Sequence, residues 1–462
     1  MDAALNTNAL QRAAVLVAAP ASGQGKTTVA AALARLHTRQ GRTVRAFKCG
    51  PDFLDPRWLA LATGAPVHSL DLWMTGEADC RRRLWFAAEA ADLVIVEGVM
   101  GLFDGDPSAA DLAVRFGLPV LAVIDAHAMA GTFGALAWGL QSFRPGLPWA
   151  GTLANRVGSE RHAGMLKDAL RDPSSWMGAL PRGADFALPE RHLGLVASDE
   201  MGDAMARLDA AADALAATPL GQLPIDRLPQ ASFAFAPPQP AALGAPWLAG
   251  RTIAVARDAA FSFIYTANLD VLSALGAQLV FFSPLAGDAL PACDALWLPG
   301  GYPELYAEAL ARCDDLRAAL GAHVAAGRPV WAECGGMMAL FDQLITADGV
   351  AHAMWGLLPG RVTMQKRLAG LGPQQLDLGS PEGTGDHILR GHTFHYSTCD
   401  TALPPLLHTA RPGIDMAVGA RAGEAFYAQG SVRASYFHAW FASSAAATAR
   451  LFSDAPIEVA HG

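Results

Sequence analysis

Short, uninterrupted apolar runs recur along the first part of the chain, and each ends in polar residues. Residues 13–19 (AAVLVAA) have strand length and lead through a Gly-rich turn into TTVAAALARLHTRQG, whose composition predicts a helix ending at Gly41. TVRAFK (43–48), DLVIVEG (92–98) and LPVLAVID (118–125) repeat the pattern. Runs apolar at every position suit strands covered on both faces, and strands separated by helical stretches predict a parallel sheet. The pattern lapses at 229–250 (PQASFAFAPPQPAALGAPWLAG), a Pro/Ala-rich stretch that reads as a linker. It restarts with RTIAVARD (251–258), AQLVFFSP (277–284), DALWLPGG (294–301) and RPVWAECGG (328–336). The prediction is two α/β domains, 1–235 and 250–462, joined by a linker over 236–249.

Composition narrows the function. Of 462 residues, 52% are hydrophobic and 17% charged, which supplies cores for more than one domain and excludes wholesale disorder. A net charge of −9 repels polyanions and argues against nucleic-acid binding. The six cysteines (49, 80, 293, 313, 334, 399) form no CxxC pair and no zinc-ligand spacing, so they read as reduced thiols. The N-terminal MDAALNTNALQR has no apolar core of a leader, and the most apolar later stretch, 118–140, is broken by Asp125 and His127. A cytoplasmic protein with no membrane span is expected.

The first candidate site is APASGQGKTT at 19–28. A strand, a Gly-rich turn and a helix starting at Lys-Thr is the arrangement in which backbone N–H groups of Ser22, Gly23, Gln24 and Gly25 face a triphosphate. Lys26 would reach its outer phosphates, Thr27 would ligate Mg²⁺, and Thr28 completes the motif. The first glycine of the strict pattern is replaced by Pro20. Lys48 closes one strand before CGPDFLDP, with Asp52 and Asp55, and Glu97 closes another before GVMGLFDG, with Asp104. Open α/β sheets bind ligands at such strand ends, and carboxylates there suit a Mg²⁺ that keeps several waters. Taken singly, each acid could equally be a helix cap.

In the second candidate site the apolar strand of RPVWAECGGMM runs into Cys334, flanked by Gly335 and Gly336, in the form of a nucleophile elbow. The following helix N-terminus is expected to lower the thiol pKa. Gly300–Gly301, closing another strand, and Gly335 offer backbone N–H groups for an oxyanion hole. The base should be a distant histidine: His438 in ASYFHAW, with His392 and His395 of GHTFHYS as competitors.

SGQGKTT, KCGPDFLDP, EGVMGLFDG, ERHLGL (190–195), LPGGYPEL, AECGGMM, GHTFHYS and ASYFH stand in this order along nearly the whole chain. By these motifs the sequence resembles the cobyrinate a,c-diamide synthases of the glutamine-dependent corrinoid amidase family. The resemblance implies an N-terminal domain like dethiobiotin synthetase and a C-terminal class I glutamine amidotransferase domain. It implies ATP and Mg²⁺, and as partners a corrinoid polycarboxylate and L-glutamine, with a homodimer as the candidate assembly. By the same resemblance, residues 22–28 fall to ATP, Thr27, Asp52 and Glu97 to Mg²⁺, Asp55 and Asp104 to the γ-phosphate or substrate carboxylate, and Cys334 and His438 to glutamine hydrolysis. One departure stands out, because Trp440 occupies the place two after the His where class I enzymes carry a Glu. Glu333 and Asp400 are the acids nearest in sequence to fill it. Arg156, Arg161, Arg191 and Lys366 are candidate cations for the polycarboxylate. Rival readings are a hydrogenobyrinate or nickel-sirohydrochlorin diamide synthase, cobyrate synthase, and a P-loop switch ATPase with an inactive glutaminase-like module.

Overall fold

The structure, a computed structural model, describes residues 10–183, 185–188, 190–191, 194–195, 202–233, 245–379, 387–412, 423–455 and 457. The chain divides into two compact units, Met1–Ala241 and Ala242–Gly462. His192 and Leu193 of the ERHLGL motif lie outside the described residues, as does most of the expected linker.

The first unit is built on an eight-stranded sheet. Its strands are β1 (Leu10–Ala18), β2 (Val44–Cys49), β3 (His68–Leu70), β4 (Leu93–Glu97), β5 (Val120–Asp125), β6 (Trp149–Val157) and β7 (Trp176–Pro181). β8 (Glu190–Arg191) and β9 (Gly194–Leu195) form a separate small hairpin, and β10 (Gln230–Phe233) returns to the main sheet. The order is β3-β2-β4-β1-β5-β6-β7, all parallel, with β10 antiparallel to the start of β1. The continuous apolar runs follow from this layering. On β1, Ala14, Leu16 and Ala18 face one core with Leu84, Phe116 and Phe133, while Ala13, Val15 and Val17 face another with Leu33, Trp58 and Leu208. Period-two alternation is therefore apolar on both sides.

The second unit repeats the plan. β11 (Thr252–Ala256), β12 (Gln278–Phe282), β13 (Ala295–Leu298) and β14 (Val330–Glu333) are followed by β15 (Phe341–Ile345), β16 (Ala351–Ala353), β17 (Leu358–Met364), β18 (Gly370–Asp377), β19 (Ile388–His395), β20 (Ser397–Asp400), β21 (Leu407–His408), β22 (Ala425–Gln429), β23 (Val432–Ser435) and β24 (His438–Trp440). The main sheet has the order β12-β11-β13-β14-β23-β22-β21, parallel from β12 to β23 and antiparallel beyond. Two small sheets, β16-β15-β17-β20 and β18-β19-β24, accompany it.

All eight strands expected from apolar runs form. The others were not singled out, because β6, β10 and the small-sheet strands are interrupted by Gly, Thr, Asn, Gln and His. No helix among the described residues is long and apolar enough to cross a membrane.

Candidate active sites

In the first unit, strand ends gather around the turn between β1 and the helix Lys26–Arg39. Gly23 and Gly25 take φ of 75° and 92°, the left-handed region that favours glycine. Pro20 is not among the positive-φ positions, so the missing first glycine costs no backbone strain. A Cβ on Gly25 would overlap Asn155 Nδ2. Asn155 donates to Gln24 O at 2.8 Å, and Gln24 Oε1 accepts from the Asp125 amide at 2.9 Å. The ends of β5 and β6 thus fasten the loop. Asp125 also takes Arg156 Nη1 at 2.6 Å. Nothing in the local sequence singles out Asn155 or Asp125, and Arg156, a candidate cation for the substrate, has its guanidinium bound to Asp125.

Lys26 is buried, and its Nζ donates to Ala21 O at 3.0 Å and Met100 O at 2.6 Å. Burial and the neighbouring Lys48 lower its pKa. Thr27 Oγ1 donates to Glu97 Oε1 at 2.6 Å. The same oxygen takes Lys48 Nζ at 3.0 Å, and that ammonium also meets Asp55 Oδ2 at 2.5 Å and Asp52 Oδ2 at 3.6 Å. Thr27, Lys48, Asp52, Asp55 and Glu97 are therefore one cluster, assembled from the ends of β2 and β4 and the start of the helix. Asp52 Oδ1 also caps the turn into the helix Asp55–Thr63, accepting from Leu54 and Asp55 amides at 2.8 and 3.1 Å. Burial works against ionisation of Lys48, but Asp55, Glu97 and Asp52 outweigh it and hold the ammonium charged. Burial likewise opposes ionisation of Asp55, and Lys48 overcomes it, leaving Asp55 below its ordinary range. Glu97 and Asp52 are pushed up by burial. Asp104 is used locally, with Oδ2 accepting from the Gly101 amide at 2.8 Å and bracing its own loop.

Lys48 pairs with all three of these acids, so its removal is consequential. Lys48→Met is expected to lower unfolding stability by about 3–5 kcal/mol, the range for breaking a buried pair. The sign with pH follows from Asp55. Its folded-state pKa lies below the ordinary 3.8, so its contribution is fully present above pH 3.8 and is lost as pH falls through the lower value. Urea midpoints of wild type and variant should therefore converge in acid. Coincident midpoints at neutral pH would contradict the assignment.

In the second unit, Cys334 follows β14 and adopts φ 44°, ψ −105°, a strained corner for a non-glycine residue. It is held there by its amide, which donates to Ser435 O at 2.7 Å, and by its carbonyl, which accepts from Met338 N at 2.9 Å. The corner needs its glycines. A Cβ on Gly335 would stand 2.9 Å from Gly301 N, and one on Gly336 would overlap Leu298 O. The Gly301 and Gly335 backbones are thus adjacent beside the thiol, as an oxyanion hole requires, and the Gly335 N–H donates to the sulfur.

The expected lowering of the thiol pKa is not what the surroundings produce. Cys334 is 4% exposed, and burial, then Glu304, push it up. The helix Gly335–Leu340 has six residues, too short a dipole to offset that burial. A thiol so placed stays protonated unless a base takes its proton.

His438 begins β24 and lies against Gly300, where a Cβ would overlap its ring. β14 and β23 pair in parallel, so Cys334 and His438 both emerge beyond the same sheet edge. His392 stacks on His438, with ring centroids 4.9 Å apart. His395 is engaged otherwise: its Nδ1 lies 2.8 Å from Ser397 O and its Nε2 3.1 Å from Glu424 Oε1, so both ring nitrogens already have partners. Burial lowers the pKa of His438, which keeps it a neutral acceptor at rest. Asp400 pairs with Arg361 on the surface at 2.8 Å and does not serve the site.

Each unit matches a known domain family. Residues 15–196 match the CobQ/CobB/MinD/ParA nucleotide binding domain, and residues 252–446 match the CobB/CobQ-like glutamine amidotransferase domain. The chain is 57% identical to the hydrogenobyrinate a,c-diamide synthase of Stutzerimonas stutzeri, over 95% of this chain and 98% of the relative. It is 56% identical to the enzyme of that name from Pseudomonas aeruginosa, over 96% and 98%. It is 49% identical to the cobyrinate a,c-diamide synthase of Herminiimonas arsenicoxydans, over 95% and 96%.

Proposed function

The chain belongs to the a,c-diamide synthase family of glutamine-dependent ligases, and we propose that it converts the a and c acetate carboxylates of a corrin polycarboxylate to amides, consuming ATP and taking nitrogen from glutamine. The observation that supports this reading is that one chain holds a Thr27–Glu97–Lys48 cluster at a phosphate loop and, in its second unit, a strained Cys334 corner ending one strand with His438 following the strand paired to it. Neither alone makes an amide from a carboxylate and glutamine.

In the first unit, residues 22–28 wrap the triphosphate with backbone N–H groups, and Lys26 neutralises charge on its outer phosphates. A substrate carboxylate oxygen attacks the γ-phosphorus, ADP leaves, and the acyl phosphate then loses phosphate to ammonia. The chain's groups fit Mg²⁺: Glu97 Oε2 is buried with no hydrogen-bond partner, and its other oxygen holds the Thr27 hydroxyl at 2.6 Å. No group of three or more His, Cys, Asp or Glu among the described residues is arranged to hold a metal on its own, which suits an ion ligated mainly by water and phosphate. Thr27 and Glu97, with Asp52 through water, would hold it, and it would withdraw charge from the transferring phosphoryl group.

In the second unit, the Cys334 sulfur attacks the glutamine side-chain amide while His438 takes the thiol proton and returns it to the leaving ammonia. Water then hydrolyses the glutamyl thioester. The reading includes a reducing, cytoplasmic setting, since Cys334 must remain a thiol and all six cysteines are free.

A second reading concerns the ring's metal. The first two relatives named above, at 57% and 56% identity, carry the metal-free hydrogenobyrinate name, and the third, at 49%, the cobyrinate name. The names favour the metal-free acid over cobyrinic acid. The experiment is to incubate each acid with the protein, ATP, Mg²⁺ and glutamine and read the product by mass.

A further inference from the structure

We infer that Glu333 is the positioning carboxylate of His438, standing where Trp440 leaves the usual place without an acid. The inference rests on the reading of Cys334 and His438 as the glutamine-hydrolysing pair.

Glu333 is the last residue of β14, directly before Cys334, and sits opposite Ser435 of β23. Three residues beyond Ser435, His438 comes to lie beside it. Glu333 Oε2 is 3.9 Å from His438 Nδ1, and the two side chains are 2% and 1% exposed. The carboxylate is fixed independently of the histidine. Its Oε1 accepts from Trp331 Nε1 at 2.7 Å, and the Ala439 N–H also donates to it. Trp331, two positions earlier on the same strand, lies on the same face. These contacts leave Oε2 turned to the imidazole.

At 3.9 Å the pair is not yet a hydrogen bond, and about an ångström of ring movement would make it one. Catalytic hydrogen bonds are often long before substrate binds. Burial pushes Glu333 up to about 8, so its ionised form gains weight as pH rises toward that value; that form at Nδ1 favours the tautomer protonated there, leaves the Nε2 lone pair for the thiol proton and stabilises the imidazolium that results. The step balances: the S–C bond forms as the proton passes from sulfur to His438, and the C–N bond breaks as that proton goes to the departing amide nitrogen, giving ammonia.

Other titratable groups face the pair. His392, stacked on His438 from β19, and His395 both disfavour imidazolium, and Glu304 and Glu424 act on Cys334. The acid paired with His438 Nδ1, at 3.9 Å, is Glu333. The His395–Glu424 pair has better geometry, but both its ring nitrogens are occupied.

The test compares Glu333→Gln, Glu333→Asp and Trp331→Phe in the full chain. Glutamine-driven and ammonium-driven amidation are measured, together with the pH profile of Cys334 alkylation by iodoacetamide, read on the Cys334 peptide by mass. Glutamine keeps an acceptor for Trp331 Nε1–H and removes only the charge. Glu333→Gln is therefore expected to lower kcat with glutamine by about 10²–10⁴-fold, by analogy with acid-to-amide changes in a triad. Its KM for glutamine and its ammonium-driven rate should hold, and its alkylation profile should move to higher pH. Glu333→Asp should recover part of the rate, and Trp331→Phe, which removes one of the two donors that fix the carboxylate but keeps its charge, should lose much less than Glu333→Gln. The inference is overturned by a Glu333→Gln variant with wild-type kcat and alkylation profile, or by an equal loss in Trp331→Phe, which would make the role structural. If Glu333→Gln loses its fold, the Asp variant decides, with an unchanged alkylation profile counting against the inference. A wild-type protein that does not hydrolyse glutamine would remove the underlying reading as well.

Discussion

Cys334→Ala is expected to abolish glutamine-driven amidation and to leave ammonium-driven amidation intact. The sulfur is the atom that forms the glutamyl thioester, and no other cysteine replaces it. Cys293, Cys313 and Cys399 are the other thiols of the second unit, and none sits at a strained strand-to-helix corner. Losing a nucleophile costs on the order of 10⁴-fold or more in kcat. Free ammonia bypasses the step entirely, because the acyl phosphate needs only an amine nucleophile. The exchange of Sγ for a methyl hydrogen also leaves the corner in place: the backbone bonds to Ser435 and Met338 do not involve the side chain. The check is amide formation with glutamine and with a high concentration of ammonium. Retained glutamine-driven activity would remove Cys334 as the nucleophile.

Lys26→Ala is expected to eliminate amidation from either nitrogen source. The ammonium group sits at the first turn of a helix, tied to Ala21 O and Met100 O, so it joins the phosphate loop to the segment bearing Asp104. Its removal takes away a positive charge where the transferring phosphoryl group gathers negative charge, and such groups contribute about 10²–10³-fold or more to turnover. The two substitutions therefore separate the sites. Cys334→Ala fails with glutamine alone, whereas Lys26→Ala fails with both. Glutaminase activity measured alone in Lys26→Ala should survive, since Cys334 and His438 belong to the other unit. Normal ammonium-driven turnover in Lys26→Ala would show that the loop does not bind the reacting phosphates.

The parts of this arrangement that were legible in the sequence are those where one physical demand dominates. Parallel strands buried on both faces must be apolar at every position, so β1, β4, β5, β11, β13 and β14 could be read from their runs alone. Sharp corners demand glycine, which marked 23, 25, 335 and 336. The clustering of Thr27, Lys48, Asp55 and Glu97 was legible only as a tendency of strand ends, and their common ion-pair network required the strand order β2-β4-β1. Asn155 and Asp125 were missed because their task, bracing Gln24, is set by neighbours more than a hundred residues away. The thiol pKa was expected to fall, because the sequence shows the helix after Cys334 but not how deeply the sulfur is buried. Glu333 was visible only as a neighbour of Cys334. Its bearing on His438 follows from the parallel pairing of β14 with β23 and the turn after Ser435.

The central claim is that two carboxylates of one corrin become amides with nitrogen from glutamine, and the most direct test is the mass of the product. Hydrogenobyrinic acid and cobyrinic acid are each incubated with the full chain, ATP, Mg²⁺ and glutamine labelled with ¹⁵N in its side-chain amide. The expected result is a product carrying two labelled amides, formed on the metal-free acid in preference to the cobalt form. Two labelled amides on the cobalt acid alone would keep the chemistry and change the substrate. Unchanged mass in both acids, with ATP still hydrolysed, would contradict the account.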